Sequence, residues 1–350
     1  MNLHPFNKHI TNINTSIRQA LQMLDNLASD AILFLVDDEN KLLGSLTDGD
    51  LRRGFIKGLG FDDHLNQFVQ PNPKFIQQGK YNLKEIIAFR EKLFTIFPVV
   101  NAEMQVINVV NFRHQKSYLP VDALIMAGGR GERLKPLTDS TPKPLLKVGN
   151  KPIIEHNIDR LNTYGIDDIW ISLRYLGNQL VEYFKDGSDK ALRINYVWEE
   201  NALGTAGALA LVDGFIHDHV LLMNSDLLTN IDFEDLFLFF EEQEADFAVA
   251  CIPYQVNVPY AVMETLDKVV TGFKEKPTYT HYSNAGIYLM KKDVINIVPK
   301  NKPFNATDLM EQLIQKGKKV VAYPLVGYWL DIGKHEDFEK AQQDIKQLKF

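Results

Sequence analysis

The sequence predicts an α/β protein with a mixed, mainly parallel sheet, preceded by a smaller α+β domain. Three observations carry that prediction. From Val121 onward, short apolar runs alternate with stretches of helical periodicity, the pattern of a sheet covered on both faces. Residues 10–112 instead repeat a helix–strand–strand pattern. The first apolar run of the second region empties into a long basic loop, 127–152, punctuated by glycine and proline.

Taken in order, residues 15–27 place Ile17, Ala20, Leu21 and Leu24 on one helical face, and runs 31–36 and 41–47 follow as strands. The second copy reads as a helix over 82–93 and strands over 95–101 and 106–112. The polar stretch 113–118 reads as a linker, giving domains 1–118 and 119–350. Beyond it, strands are expected at 121–126, 168–173, 193–197, 220–223 and 245–252, with helices at 152–164, 177–184, 205–212 and 233–244. The last third is less regular: strands near 269–273, 285–290 and 320–323, then a closing helix over 335–348.

Composition bounds the function. A net charge of −7 over 350 residues gives no global attraction for nucleic acid or an acidic membrane, so an anion needs a local cluster of cations. The single cysteine, Cys251, forms no intrachain disulfide and no zinc spacing, and its apolar surroundings suit a buried thiol. The first residues lack the basic and apolar segments of a signal peptide, and no run reaches the roughly 20 apolar residues of a membrane helix. The expectation is a cytoplasmic protein.

The loop supplies Ala127, Gly128, Gly129 and Gly131 with Arg130, Arg133, Lys143 and Lys151. Glycines bring backbone N–H groups close to a ligand, and the cations neutralise negative oxygens. It is not a Walker A loop, because the G-K-[ST] ending is missing. It is not a dinucleotide fingerprint either: Leu134 stands at the third glycine, and Pro136, Pro142 and Pro144 forbid an immediate long helix.

From Gly128 to Pro144 the string G-G-x-G-x-R-L-x-P-L-T leading to P-K-P resembles the signature of sugar-1-phosphate nucleotidyltransferases. Four later segments follow in that family's order: L-G-T-A-G-A-L after Glu199 and Glu200, L-L-M-N-S-D ending in Asp226, F-K-E-K-P, and S-N-A-G-I-Y. W-L-D-I-G then places Asp331. The resemblance implies a Rossmann-like, GT-A-like domain. It further implies nucleotide contacts from Ala127, Gly128, Gly129, Gly131, Glu200, Gly204 and Thr205, and sugar contacts from Glu275, Asn284 and Gly286. Arg133, Lys143 and Lys276 would be catalytic, and Asp226 with Asp331 would hold Mg²⁺. Ser225 departs from the glycine common before the metal aspartate.

The implied reaction joins a sugar-1-phosphate to the α-phosphorus of an NTP and releases pyrophosphate. No general base is required, which suits nine histidines without a catalytic arrangement. In the first domain, G-S-L-T-D-G-D-L-R-R resembles the end of a cystathionine-β-synthase-type (CBS) repeat, implying adenosine-nucleotide contacts from Thr47 and Asp50. The second copy lacks T-x-x-D. CBS pairs ahead of such a domain resemble guanylyltransferases of bacterial surface-sugar pathways, so GTP is favoured and a homo-oligomer is expected. The rival reading is a regulatory protein that binds nucleotides without catalysis.

Overall fold

The computed structural model describes residues 5–348; the outermost residues of the two expected domains lie outside that range. The chain divides into two compact units. The first takes residues up to Pro120 with Leu161–Asp167 and Asp186–Arg193; the second takes the remainder.

The first unit is built from α1 (Ile17–Leu27), β1 (Ile32–Val36), β2 (Leu42–Thr47), α2 (Asp48–Ile56), α3 (Leu83–Glu91), β3 (Ile96–Val100) and β4 (Val106–Asn111). Ser16 caps α1 in a reciprocal capping box with Gln19, and Ile17, Ala20, Leu24 and Leu27 bury one face. That face joins Leu33, Leu46 and Phe68 in a compact core. The expected duplication is structural. A short strand, Ile10–Asn12, runs parallel to β1, as Ile76–Gln77 does to β3, and each copy then folds back antiparallel. Both hairpins shift register at the same place in the repeat, between Leu35 and Val36 and between Val99 and Val100. The end of the expected polar linker is not a free tether: Ser117 and Tyr118 are buried, and Tyr118 stacks on Tyr81 with ring centroids 5.7 Å apart.

The second unit contains β5 (Val121–Met126), most of α4 (Ile153–Thr163), β6 (Asp168–Leu173), α5 (Gly177–Phe184), most of β7 (Arg193–Trp198), β8 (His219–Asn224), β9 (Leu227–Thr229) and α6 (Phe233–Glu242). It continues with β10 (Phe247–Asn257), β11 (Val262–Leu266), β12 (Val269–Lys274), β13 (Thr278–Lys291), α7 (Ala306–Gln315), β14 (Val320–Pro324), β15 (Trp329–Asp331) and α8 (His335–Asp344). Seven strands form one sheet in the order β7-β6-β5-β8-β13-β10-β14. β6, β5 and β8 are parallel, β13 is antiparallel to β8 and β10, and β14 is parallel to β10. The mixed α/β sheet expected from the sequence is thus present.

Two expectations are corrected. The helix expected over 205–212 is a short 3-10 turn, Gly207–Leu211, because Gly204 at φ 75° and Ala206 at φ −139° keep the chain ahead of it out of helical geometry. The last third is also more regular than expected. α7, absent from the sequence reading, carries a capping box between Asn305 and Asp308 and buries Ala306, Leu309 and Leu313. A small second core of Leu134, Leu146, Val148, Ile153, Leu228, Leu330, Ile332 and Ala341 lies beside the main one. It decides where the functional side chains point.

Candidate active site

The glycine loop leaves the carboxyl end of β5, and Asp226 follows the carboxyl end of the adjacent parallel strand β8. This is the edge at which open α/β sheets bind ligands. Ala127 is buried with its N–H on the Ser172 carbonyl, 3.0 Å, which fixes the start of the loop. Gly129 is exposed, and Gly131 takes φ 62° as the loop turns. Further on, Thr138 Oγ1 donates to the Gly131 carbonyl at 3.0 Å, and Tyr175 Oη donates to the carbonyls of Thr138 and Asp139 at 3.2 and 3.1 Å. The Arg130 guanidinium lies over the Tyr175 ring, 5.6 Å from its centroid.

The small core aims the charged groups. Leu134 is inserted into it and leaves its neighbour Arg133 exposed. Leu330 and Ile332 enter the same core, so strand alternation turns Asp331 the other way. β9 and β15 are antiparallel with Leu227 opposite Asp331, and Ile332 N–H bonds the Asp226 carbonyl at 3.0 Å. The two aspartates, far apart in sequence, are thereby neighbours. Burial, and then the charge of Asp226, push the Asp331 carboxyl above the usual range against the pull of Lys143 and Arg133.

Lys143, only 9% exposed, donates a hydrogen bond to Asp226 Oδ2. Ser225 is buried, and its N–H reaches the Met126 carbonyl at 3.2 Å, which ties the turn ahead of Asp226 to the end of β5. Asn157, a buried residue of α4, donates Nδ2 to the Leu227 carbonyl at 2.9 Å and to the Ser225 carbonyl at 3.4 Å. It therefore grips the chain on both sides of Asp226. The sequence reading missed it, although its place on the inner face of an amphipathic helix was visible.

The remaining expected residues are distributed as follows. Glu200, expected at the nucleotide, is exposed; the carboxylate against the glycine loop belongs to Glu199, which is 7% exposed. Glu199 accepts from Ser172 Oγ and, at 3.0 Å, from Leu203 N–H. Gly204 and Thr205 are exposed and tied to the start of α7, where Thr205 Oγ1 accepts from Ala306 N–H at 2.9 Å. Glu275 and Lys276 are exposed on the turn between β12 and β13, with Lys276 at φ 41°. Asn284 Oδ1 accepts from Gly286 N–H at 2.9 Å, and its Nδ2 donates to Tyr288 Oη at 2.8 Å. Gly286 has φ 71° and backs onto Asn224, close to Asp226. His156 and His335 bond the carbonyls of Val148 and Lys135, each at 2.9 Å.

Asp226 and Asp331 offer hard oxygen donors suited to Mg²⁺, and the Lys143 ammonium already stands on one of them as a stand-in cation. The arrangement fits a divalent ion. A different acidic group, Asp122, Asp168 and His217, is buried with ligand atoms within 4.8 Å of one another. It lies at the amino ends of β5 and β6 and just ahead of β8, away from the glycine loop. There Asp122 Oδ2 accepts the His217 backbone N–H at 2.7 Å.

In the first unit, Thr47 and Asp50 form the capping box of α2. The Asp50 carboxylate, 4% exposed, accepts from Thr47 Oγ1 at 2.6 Å, from Thr47 N–H and Gln70 Nε2 at 2.9 Å each, and from Arg53.

The profile of the family described as nucleotidyl transferase matches residues 122–348, and that of the CBS domain matches residues 9–57. A mannose-1-phosphate guanylyltransferase of Mycobacterium tuberculosis is 32% identical over 233 residues, 64% of each chain. The bifunctional protein GlmU of Methanococcus maripaludis is 31% identical over 231 residues, 63% of this chain and 53% of that one. The chain thus spans less than two thirds of the length of these relatives. A crystal structure of a Bacillus anthracis chain, described as a glucose-1-phosphate thymidylyltransferase in complex with a sucrose, aligns with TM-score 0.54 at 26% identity. That alignment covers 66% of this chain and 97% of the other. Among the described residues no helix is long and apolar enough to cross a membrane.

Proposed function

The chain belongs to the nucleotidyl transferase family, and from that premise we propose that it transfers a nucleotidyl group from GTP to a sugar-1-phosphate, releasing pyrophosphate. The observation that carries the reading is the convergence of Lys143, Arg133, Asp226 and Asp331 beside the glycine loop.

An oxygen of the sugar phosphate attacks the α-phosphorus in line; the new P–O bond forms as the bond to the β-phosphate oxygen breaks. Because two polyanions must meet, the protein's task is positioning and neutralisation. Loop N–H groups at Gly128, Gly129 and Gly131 cradle the triphosphate, and Arg133 and Lys143 neutralise it. Lys276 holds the incoming phosphate, and Glu275, Asn284 and Gly286 meet the sugar. Asp226 and Asp331 would hold a divalent ion, which would supply positive charge to the phosphates.

GTP is favoured by Glu199. Its carboxylate only accepts hydrogen bonds and keeps lone pairs beyond those taken by Ser172 and Leu203. Guanine presents two adjacent donors, N1–H and the 2-amino group, which match such a pair of acceptors.

The sugar we assign is glucosamine-1-phosphate, the substrate of the guanylyltransferase of legionaminic acid synthesis. Mannose- or heptose-1-phosphate is the second reading, and the similarity to the Mycobacterium tuberculosis mannose-1-phosphate guanylyltransferase speaks for mannose. The first unit is assigned a regulatory or dimerising role. Adenosine nucleotides at Thr47 and Asp50 would have to replace bonds that Arg53 and Gln70 now supply.

The test is a matrix of four NTPs against glucosamine-, mannose-, heptose- and glucose-1-phosphate with Mg²⁺, read by mass spectrometry of the product. GDP-glucosamine as the dominant product supports the assignment. No NDP-sugar from any pair would reject catalysis and favour the regulatory reading.

A further inference from the structure

We propose that Lys143 is the resident counter-ion of Asp226 and yields that place to a divalent cation, so that metal arrival and presentation of the Lys143 ammonium to phosphate are one exchange. The inference rests on the reading of Asp226 as a metal ligand.

The ammonium bonds Asp226 Oδ2 with side-chain exposures of 11% for Lys143 and 21% for Asp226. A pair so far removed from water cannot separate unless each charge finds a new partner. The base of Lys143 is held still. Its carbonyl accepts from Leu146 N–H at 3.1 Å, the Pro142 carbonyl accepts from Leu145 N–H at 2.8 Å, and prolines stand on both sides. Gly131 closes in from another direction, where a β-carbon would stand 3.0 Å from Lys143 Cβ. Asp226 is fixed in turn by Ile332 on its carbonyl. Only the end of the lysine side chain is left to pivot.

Charge dictates the order of events. Lys143 and Arg133 offset the charge of Asp226 and Asp331, with Asp337 as a further carboxylate close by. A divalent ion on the two carboxylates adds positive charge beside an ammonium that has just lost its partner. Nucleotide phosphates then supply the matching negative charge. Lys143 and the metal therefore compete in the free protein and cooperate once nucleotide is present, two signs of one linkage.

The experiment measures Mn²⁺ binding to the full chain without nucleotide, by electron paramagnetic resonance, for the unsubstituted protein, Lys143→Met and Asp226→Asn. The exchange predicts about tenfold tighter Mn²⁺ binding in Lys143→Met, as expected for removal of a charged hydrogen-bond partner, and weaker binding in Asp226→Asn. Weaker binding in Asp226→Asn with unchanged or weaker binding in Lys143→Met overturns the exchange and leaves the metal ligand in place. Unchanged binding in Asp226→Asn overturns the metal reading, and the exchange falls with it. A second measurement needs no substitution: Mg²⁺ alone should increase amine-reactive labelling of Lys143, read by peptide mass spectrometry. Labelling that stays constant through saturating Mg²⁺ rejects the proposal even if Lys143→Met does not fold.

Discussion

Glu199 lies directly against Gly128: a β-carbon at Gly128 would stand 2.9 Å from Glu199 Oε1. Separations under about 3 Å are not tolerated by real side chains, so Gly128→Ala should drive the carboxylate from its place between Ser172 and Leu203. Overpacking of this kind costs about 1–3 kcal/mol. The expected outcome is a lower melting temperature with a raised KM for GTP. An unaltered KM would remove Glu199 from the nucleotide site.

Lys143→Ala should lower kcat by about 10²–10³, the size of effect seen on losing one transition-state donor. Steady-state kinetics at saturating Mg²⁺ and GTP give the value. Near-native turnover would leave Lys143 a structural counter-ion only.

Asn157 is buried and holds the carbonyls of Ser225 and Leu227. Asn157→Leu keeps the volume and removes both bonds, leaving buried carbonyls unpaired at about 1–3 kcal/mol each. As a positioning residue it should weaken Mn²⁺ binding and lower kcat while KM for the sugar phosphate stays close to its starting value. A stability loss with Mn²⁺ affinity intact would assign it a purely structural role.

Gly286→Ala meets two obstacles at once. Its φ of 71° disfavours any side chain, and a β-carbon would stand 2.6 Å from Asn224 Nδ2. Displacing Asn224 moves the chain just ahead of Asp226, so turnover should fall along with stability. Activity and a thermal melt measured on the same preparation separate the two effects.

Burial pushes the Asp50 carboxyl up, but hydrogen bonds from Thr47, Arg53 and Gln70 outweigh it and hold the carboxyl below the usual range. A carboxyl depressed in the folded state contributes stability that is complete above its unfolded value and is lost as pH falls through its folded value. The protection of α2 amides against hydrogen exchange should therefore fall on acidification below about pH 4. Asp50→Asn should flatten that dependence and lower neutral-pH protection by about 1 kcal/mol, the worth of a helix cap. An unchanged acid limb would assign the protection to other groups.

Much of this site is legible in the sequence because its parts are local strings. The glycine loop, the strand ending at Asp226 and the W-L-D-I-G turn each announce themselves by spacing, and alternation predicts that Asp331 turns away from Leu330 and Ile332. The choice between Glu199 and Glu200 was not legible. It depends on which carboxylate faces Gly128, a contact between β7 and a loop far away in the chain. Asn157 was hidden for the same reason, since helical periodicity marks a buried position without saying whose carbonyls it meets. α7 was missed although Ala306, Leu309 and Leu313 follow helical spacing, because the polar residues among them broke up the apolar run. The distal part of β13, from Thr278 to Asn284, is polar and exposed, and only its pairing with β10 makes it a strand.

The small core that aims Arg133, Asp226 and Asp331 sets a schedule for synthesis. Leu134 leaves the ribosome early in the second unit, but Leu330, Ile332 and Ala341 come late, and the core cannot close without them. The core shared by α1, β1 and β2 draws on residues from Ile17 to Phe68 and is complete long before that. With folding proceeding from the amino end as the chain emerges, the core from Ile17 to Phe68 can close while the glycine loop still waits for its aspartates. The cluster around Asp226 and Asp331 therefore assembles after that first core.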